Sequence, residues 1–159
     1  DRYKGALFGY IRLRVGDAHR AEDLTQDVFL RAFRAARRGD YDGRPCAASW
    51  LFTIARNVVT DYGRLPGRDA AIPPVGAAAE VGPGRSVGSS DQAQAVSEQL
   101  LAHLPVAQGE VVALKAIAGL TFAEIAQMTG CPVPTAKSRM RYGLQKLRAL
   151  LSERGEPDA

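Results

Sequence analysis

Residues 119–142 read GLTFAEIAQMTGCPVPTAKSRMRY, and this stretch decides the fold. Thr121-Phe122-Ala123-Glu124 has the form of a capping box, in which the Thr hydroxyl and the Glu carboxylate each satisfy an orphan amide at a helix start. The helix it opens runs for only about two turns before Gly130 ends it. After the turn Cys131-Pro132-Val133, a second helix starts at Pro134, a residue tolerated in the first turn. Its apolar stripe is Ala136, Met140, Leu144, Leu147 and Leu151. A short capped helix, a glycine turn and a longer basic helix make a helix-turn-helix. The second helix of such a unit needs one stripe to dock on its partner and a cationic stripe to enter the major groove. Lys137, Ser138, Arg141 and Tyr142 share one outward stripe. The competing reading is an ordinary helical hairpin inside an all-α core.

Working outward, Val96, Leu100, Leu101 and Leu104 make a short helix stopped by Pro105. Another runs to Gly119 with Val111, Val112, Leu114 and Ile117 inward. Residues 91–153 therefore read as a four-helix domain carrying the helix-turn-helix, with 154–159 as a tail. Residues 69–90, DAAIPPVGAAAEVGPGRSVGSS, have neither helical nor strand period, and 15 of the 22 are Gly, Pro, Ala or Ser. They read as a flexible linker.

Residues 1–68 read as a first helical domain. Tyr3, Leu7, Ile11 and Val15 recur at four-residue steps; Gly16-Asp17 breaks that helix, and Asp17 can cap the next. The second helix carries Ala21, Leu24, Val28, Ala32 and Ala35 on one stripe, with Phe29 and Phe33 beside it, and ends at Arg37-Arg38-Gly39. After a polar loop, a third helix places Leu51, Ile54, Ala55, Val58 and Tyr62 inward. Its other face offers Thr53, Arg56, Asn57, Thr60 and Arg64. No run of alternating β-branched residues predicts a strand, so the fold class is all-α: two small helical domains on a flexible linker.

Composition narrows the function. The 159 residues are 46% hydrophobic and 24% charged, ordinary for a globular protein. No apolar run approaches about 18 residues, so membrane insertion is not expected. A signal peptide and an initiator Met are both missing, so the chain is expected to begin inside a longer reading frame or to have been trimmed. Cys46 and Cys131 have no second Cys or His at ligand spacing, which excludes a disulfide scaffold and a zinc finger and fits a reducing cytoplasm. The simplest reading of both is a small buried hydrophobe. Net charge is +4, unevenly spread: +5 over residues 1–68, −1 over 69–90 and zero over 91–159. Residues 134–148 still hold Lys137, Arg139, Arg141, Lys146 and Arg148 with no acid. Two basic surfaces flanking a neutral stretch suit a polyanion, although solvated helix faces would look the same on charge alone.

The residues just described resemble a known family. Gly119–Ala126 followed by Gly130–Met140 resembles the C-terminal domain of extracytoplasmic-function (ECF) sigma factors of the sigma-70 superfamily. Ala21-Glu22-Asp23-Leu24-Thr25-Gln26-Asp27-Val28-Phe29-Leu30-Arg31-Ala32-Phe33 is similar to the family's core-polymerase-binding helix, and Ser49-Trp50-Leu51-Phe52-Thr53-Ile54-Ala55-Arg56-Asn57 to its helix for the downstream promoter element. Three motifs in order cover nearly the whole chain. Pro134-Thr135-Ala136 departs from the usual Gly-Thr-Val, which changes only how the recognition helix begins. Tyr142 stands where many members carry a basic residue, and the chain is expected to lack part of the first helix or the tail before it.

The resemblance implies a dissociable initiation subunit, not an enzyme, with no cofactor, metal or catalytic residue. Its implied partners are core RNA polymerase (the β′ coiled coil and the β flap), promoter DNA and an anti-sigma factor, with the free protein a monomer. Asp23, Gln26, Asp27, Phe29, Leu30 and Arg31 match the core-binding positions; an exposed aromatic ringed by charges also has the character of an interface hot spot. The other reading puts Phe29 in the core. Trp50, Arg56, Asn57, Asp61, Tyr62 and Arg64 are candidates for the melted downstream element, with the loop Asp40–Ala47 as a pocket for a flipped base. Trp50 fits either a base-stacking surface or the core. On the upstream element, where Thr135 is also a candidate, Lys137 and Arg141 suit guanines or phosphates, Ser138 either, and Tyr142 a thymine methyl or a phosphate; Arg139, off the central stripe, suits a phosphate.

A 22-residue linker reaches at most ~70–80 Å extended but averages ~25 Å as a coil. Promoter elements two DNA turns apart are separated by roughly 70 Å. Bridging both therefore needs a stretched linker or a polymerase holding the domains apart. In the free chain the domains are expected to close on one another or on an inhibitor, masking both basic faces. Two rivals remain. A conventional helix-turn-helix regulator would act as a dimer without polymerase. An enzyme would have to use Glu22, Asp23, Asp27 and His19, but Asp23 and Asp27 are i,i+4 on a surface helix and His19 sits in a cap; His103 has no partner in sequence.

Overall fold

The structure is a computed structural model and describes residues 2–43, 46–64, 99–101, 103–153 and 155. All regular structure among them is α-helical. The linker expected at 69–90 and the beginning of the helix around Val96 lie outside the described residues. Three helices form a first group: α1 (Lys4–Val15), α2 (Ala18–Arg38) and α3 (Ala47–Gly63). Three form a second: α4 (Val106–Ala116), α5 (Phe122–Thr129) and α6 (Val133–Glu153), preceded by helical residues 99–101.

Local chemistry sets the boundaries. Gly16, in the left-handed region at φ 77°, closes α1, and the Asp17 carboxylate caps α2 by accepting the Arg20 amide at 3.0 Å. That amide, with the His19 amide and nearby positive charge, holds the Asp17 carboxyl below its ordinary range. Gly39 closes α2. The capping box forms as read from sequence: Thr121 Oγ1 accepts the Glu124 amide at 3.2 Å, and Glu124 Oε2 accepts the Thr121 amide at 2.8 Å. Gly130 makes the turn at φ 71°.

The two groups pack against each other, and their buried residues form one continuous core. The helix α1 shows why. Leu7 and Ile11 are buried as expected, but so are Arg14, Tyr10 and Leu13, which widen the buried arc well beyond one stripe. One side of α1 packs on α2 and α3. The other, with Gly5, Gly9 and Leu13, borders an apolar groove of roughly 440 Å³ shared with α4 and α6. A surface helix would be polar there.

Three expectations about the core need correction. On α3 the inward arc includes Phe52 and Val59, both fully buried, in addition to Leu51, Ala55 and Val58, because α3 is contacted from α1, α2 and α5. On α6 Leu144 is exposed rather than buried. The docking stripe runs Ala136, Met140, Gly143, Leu147, and Gly143 makes the close approach: a Cβ there would stand 2.9 Å from Val112 Cγ2. One position further on, Leu144 is turned about 100° away. Cys46, read as a buried hydrophobe, is exposed because it is the N-cap residue of α3 at the edge of the polar loop; Cys131 packs half-buried against the core.

Candidate functional site

The outward face of α2 carries Asp23, Gln26, Leu30 and Arg31 in solvent, with Asp27 and Phe29 half-buried. Phe29 is not the exposed aromatic of this face: it follows the fully buried Val28 and packs against the core beside Phe8. The exposed aromatic is Phe33, missed as a candidate. Phe33 is 61% and Leu30 53% exposed, three residues apart on one helix face, and the Arg37 guanidinium lies 5.8 Å from the Phe33 ring centre. The signal in sequence was that step of three from Leu30.

The structure joins this face to the α3 candidates. The Arg31 guanidinium bridges Asp27 at 3.1 Å and Asp61 at 3.3 Å, tying α2 to α3. The Arg20 guanidinium donates to the Tyr62 hydroxyl and lies over its ring. Asn57 and Arg64 are exposed. Trp50 joins neither the core cluster nor open solvent: it is half-buried, with Tyr41 from the preceding loop stacked on it at 4.4 Å and 21°. Residues 44–45 of the loop pocket expected at Asp40–Ala47 lie outside the described residues. The Thr53 and Thr60 hydroxyls donate to carbonyls one turn back on their own helix.

Arg56 departs most from expectation. Read as open to DNA, it faces the second helical group, donating from Nε to Glu110 Oε1 at 2.8 Å and from Nη1 to the Met128 carbonyl at 3.3 Å. Glu110, on α4, is only 6% exposed. The same Oε1 accepts the Tyr10 hydroxyl at 3.4 Å and lies 3.7 Å from Arg14 Nη1, a charge contact too long for a hydrogen bond. Arg14 is 6% exposed, and its Nε and Nη1 have no hydrogen-bond partner among the described residues. Burial, and then the charge of Glu110, push the Tyr10 phenol far above its ordinary range. One carboxylate thus gathers a phenol and two guanidinium groups from the other helical group. A second bridge lies nearby: the Cys46 thiol donates to Glu124 Oε1 at 2.9 Å. That bond, with the Thr121 amide and against partial burial, holds the Glu124 carboxyl below its ordinary value of 4.5.

On α6, Lys137, Arg141 and Tyr142 stand in solvent, while Thr135, Ser138 and Arg139 are half-buried. Arg141 lies over the Tyr142 ring at 5.1 Å, with Nη2 3.4 Å from the phenol oxygen, so the two present one surface. The opposite side of α6 is fixed by Ala136 and Gly143 against its neighbours.

A helix-turn-helix behind a three-helix group with an exposed apolar and charged face has the build of a bacterial transcription-initiation subunit. Residues 1–65 match the family model Sigma-70 region 2, and residues 98–147 match Sigma-70, region 4. Over 161 residues the chain is 33% identical to the ECF RNA polymerase sigma factor SigL of Mycobacterium tuberculosis, covering 98% of this chain and 88% of that protein. It is 35% identical over 147 residues to SigC of the same organism, covering 91% and 75%. Among solved structures it is similar to CnrH in complex with the cytosolic domain of CnrY, with a TM-score of 0.70 and 25% identity over 96% of this chain and 84% of that one. It is also similar to the sigma factor RpoE in complex with the anti-sigma factor NepR from Bartonella quintana, with a TM-score of 0.68 and 25% identity over 95% and 92%. The chain belongs to the ECF sigma factors of the sigma-70 superfamily. It is a subunit that binds core RNA polymerase and directs promoter-specific initiation, and the reading as a conventional dimeric regulator is not favoured.

Proposed function

We propose a division of labour along the chain, with residues 1–68 engaging the polymerase and the downstream element, 69–90 acting as a linker and 91–153 reading the upstream element. The β′ coiled coil docks on the α2 face formed by Asp23, Gln26, Asp27, Phe29, Leu30 and Arg31, extended by Phe33. The melted downstream strand lies against α3, held by Arg56, Asn57, Asp61, Tyr62 and Arg64, with the Tyr41–Trp50 stack available to a base. The helix α6 enters the major groove of the upstream element through Thr135, Lys137, Ser138, Arg139, Arg141 and Tyr142. The β flap would hold the second helical group at that spacing. An anti-sigma factor is the partner that stabilises the closed form, as the similar sigma factor RpoE has been solved in complex with the anti-sigma factor NepR. The protein acts in the cytoplasm as a monomer until it meets polymerase, and it carries no catalytic centre. Among the described residues no helix is long and apolar enough to cross a membrane.

The observation that carries this reading is the pairing of two differently built faces: an apolar, charge-ringed face on α2 for protein, and an acid-free outward stripe on α6 for DNA. Run-off transcription with core RNA polymerase on a library of promoter fragments tests it. Discrete transcripts that need this protein support the reading, and their start sites define both elements. Binding to DNA as a dimer, with no engagement of core enzyme, overturns it.

A further inference from the structure

We propose that Tyr10, Arg14 and Arg56 form a cradle for a DNA backbone phosphate, and that Glu110 occupies this cradle as a built-in stand-in while the two helical groups are closed. The proposal rests on the reading of the chain as a promoter-binding protein, and adds to it a binding site on α1, a helix not otherwise assigned to DNA.

The charges gathered at Glu110 are unbalanced. Two guanidinium groups and one phenol converge on a single carboxylate oxygen, so the buried cluster holds two positive charges against one negative. Arg14 is more than nine-tenths buried, yet its Nε and Nη1 lack hydrogen-bond partners among the described residues. A buried guanidinium left in that state is costly, and structures rarely carry one without a reason. The carboxylate reaches Arg56 well but stops 3.7 Å short of Arg14. A phosphodiester carries the same single negative charge as the carboxylate, but shares it over two oxygens on a larger tetrahedral centre, and so can span donors that the Glu110 oxygen does not reach together. All three donors belong to the first helical group and Glu110 belongs to the second, so separation of the groups removes the acid and leaves the donors together. That separation is what spanning two promoter elements requires. The cradle also adjoins the α3 face, since Arg56 is a member of both.

The competition has a direction. A buried ion pair contributes little net adhesion but fixes geometry, so Glu110 specifies how the groups dock without binding them irreversibly. DNA and Glu110 then exclude each other at Arg14 and Arg56.

The test uses the full chain and the isosteric variant Glu110→Gln, read by fluorescence anisotropy with a labelled single-stranded oligodeoxynucleotide of mixed sequence. Small-angle scattering follows opening, and circular dichroism verifies helicity. Glu110→Gln is expected to enlarge the particle, to tighten DNA binding about tenfold and to steepen the salt dependence by about 0.7 in log–log slope for each phosphate gained. Adding Arg14→Gln in that background should return both quantities towards the parent. A second arm replaces DNA with inorganic phosphate at matched ionic strength. An opened Glu110→Gln chain with unchanged DNA affinity, an affinity gain that Arg14→Gln does not reverse, a particle that stays closed, or binding of inorganic phosphate without DNA would each overturn the proposal. Should Glu110→Gln fail to fold, Arg14→Gln alone in the complex with core polymerase answers the same question: a salt slope on promoter fragments shallower by about 0.7 supports the cradle, and an unchanged slope overturns it. Run-off transcription by the unaltered chain separates the two ideas, because the sigma-factor reading stands if transcripts appear even where the cradle fails.

Discussion

Arg56 Nε and Glu110 Oε1 lie 2.8 Å apart, joining a helix of the first group to a helix of the second. The two ends are unequally placed: the Arg56 side chain is one-third exposed, whereas that of Glu110 is almost wholly buried. Removing the arginine leaves a carboxylate that still holds Tyr10 and the charge of Arg14. Removing the carboxylate strands Arg14 in the interior with no counter-charge. Breaking a buried pair from its buried side costs about 3–5 kcal/mol. Glu110→Ala should therefore lower stability in urea by more than Arg56→Ala does, and the double variant should fall short of the sum. Equal losses, or strict additivity, would show that the cluster is not a coupled unit.

The α2 face predicts a separation of binding from stability. Leu30 and Phe33 are more than half exposed, so replacing either with Ala removes little buried surface and should change the thermal midpoint only slightly. As anchors of a protein interface, each should weaken core-polymerase binding about tenfold or more, measured by competition against a labelled sigma factor. Phe29→Ala should differ in losing stability as well, because Phe29 packs against the core.

Most of this architecture was legible because the signals that define it act over a few residues. The capping box at Thr121 and Glu124, the Asp17 cap and the glycine ends at Gly16, Gly39 and Gly130 all form as read. Which of two adjacent residues faces inward is a weaker signal. The pattern chose Leu144 where a backbone approach at Gly143 carries the contact, because periodicity counts side chains and cannot see how near a neighbouring helix lies. Phe29 and Phe33 both lie beside the apolar stripe of α2, and the resemblance alone singled out Phe29 where Phe33 is the more exposed. The Glu110 cluster was illegible. Its partner Arg56 is 54 residues away, and a glutamate early in a helix looks like an ordinary solvated charge. Nothing in the period of α4 encodes a partner on another group of helices.

Two glycines should respond oppositely to the same change. Gly5, within α1, has nothing within 4 Å of a built Cβ, so Gly5→Ala should stabilise by about 0.5–1 kcal/mol through reduced backbone entropy of the unfolded chain. A Cβ at Gly143 would meet Val112 Cγ2 at 2.9 Å, and a β-branched valine has little room to turn aside. Gly143→Ala gains the same propensity but incurs about 1–3 kcal/mol of overpacking, so its net effect should be destabilising. Parallel urea titrations of the two variants decide the matter by sign.

Glu124 gives a pH dependence with a definite sign. Its folded-state pKa lies below the ordinary 4.5, first because the Cys46 thiol donates to it and then because of the Thr121 amide, against some burial. A depressed carboxyl contributes stability that is complete above its unfolded value and is lost as pH falls through the lowered one. The stability gap between the parent and Glu124→Gln should thus hold steady from neutral pH to about 4.5 and close below it. Replacing Cys46 with Ala should raise the Glu124 pKa in an NMR titration. A gap that widens in acid would contradict the assignment.

Along α6 the expected signature is a split between specificity and general affinity. Lys137 and Arg141 stand outward on the stripe proposed to enter the major groove, whereas Arg139 is half-buried and off its centre. In the complex with core polymerase, Arg141→Ala should cost about 1–3 kcal/mol on the preferred upstream element and relax the preference at one base position. Arg139→Ala should weaken all sequences alike and reduce the salt slope by about 1, as the loss of a phosphate contact does. Tyr142 adds a condition, since its ring lies beside the Arg141 guanidinium at 5.1 Å and limits where that side chain can reach. Tyr142→Ala should therefore broaden the preference at the position that Arg141 reads, rather than only at its own. Selection of bound fragments from a randomised upstream element, followed by sequencing, measures all three at once. If Tyr142→Ala changed only one base position, distinct from that of Arg141, the two side chains would be independent readers and the pair would not act as a single surface.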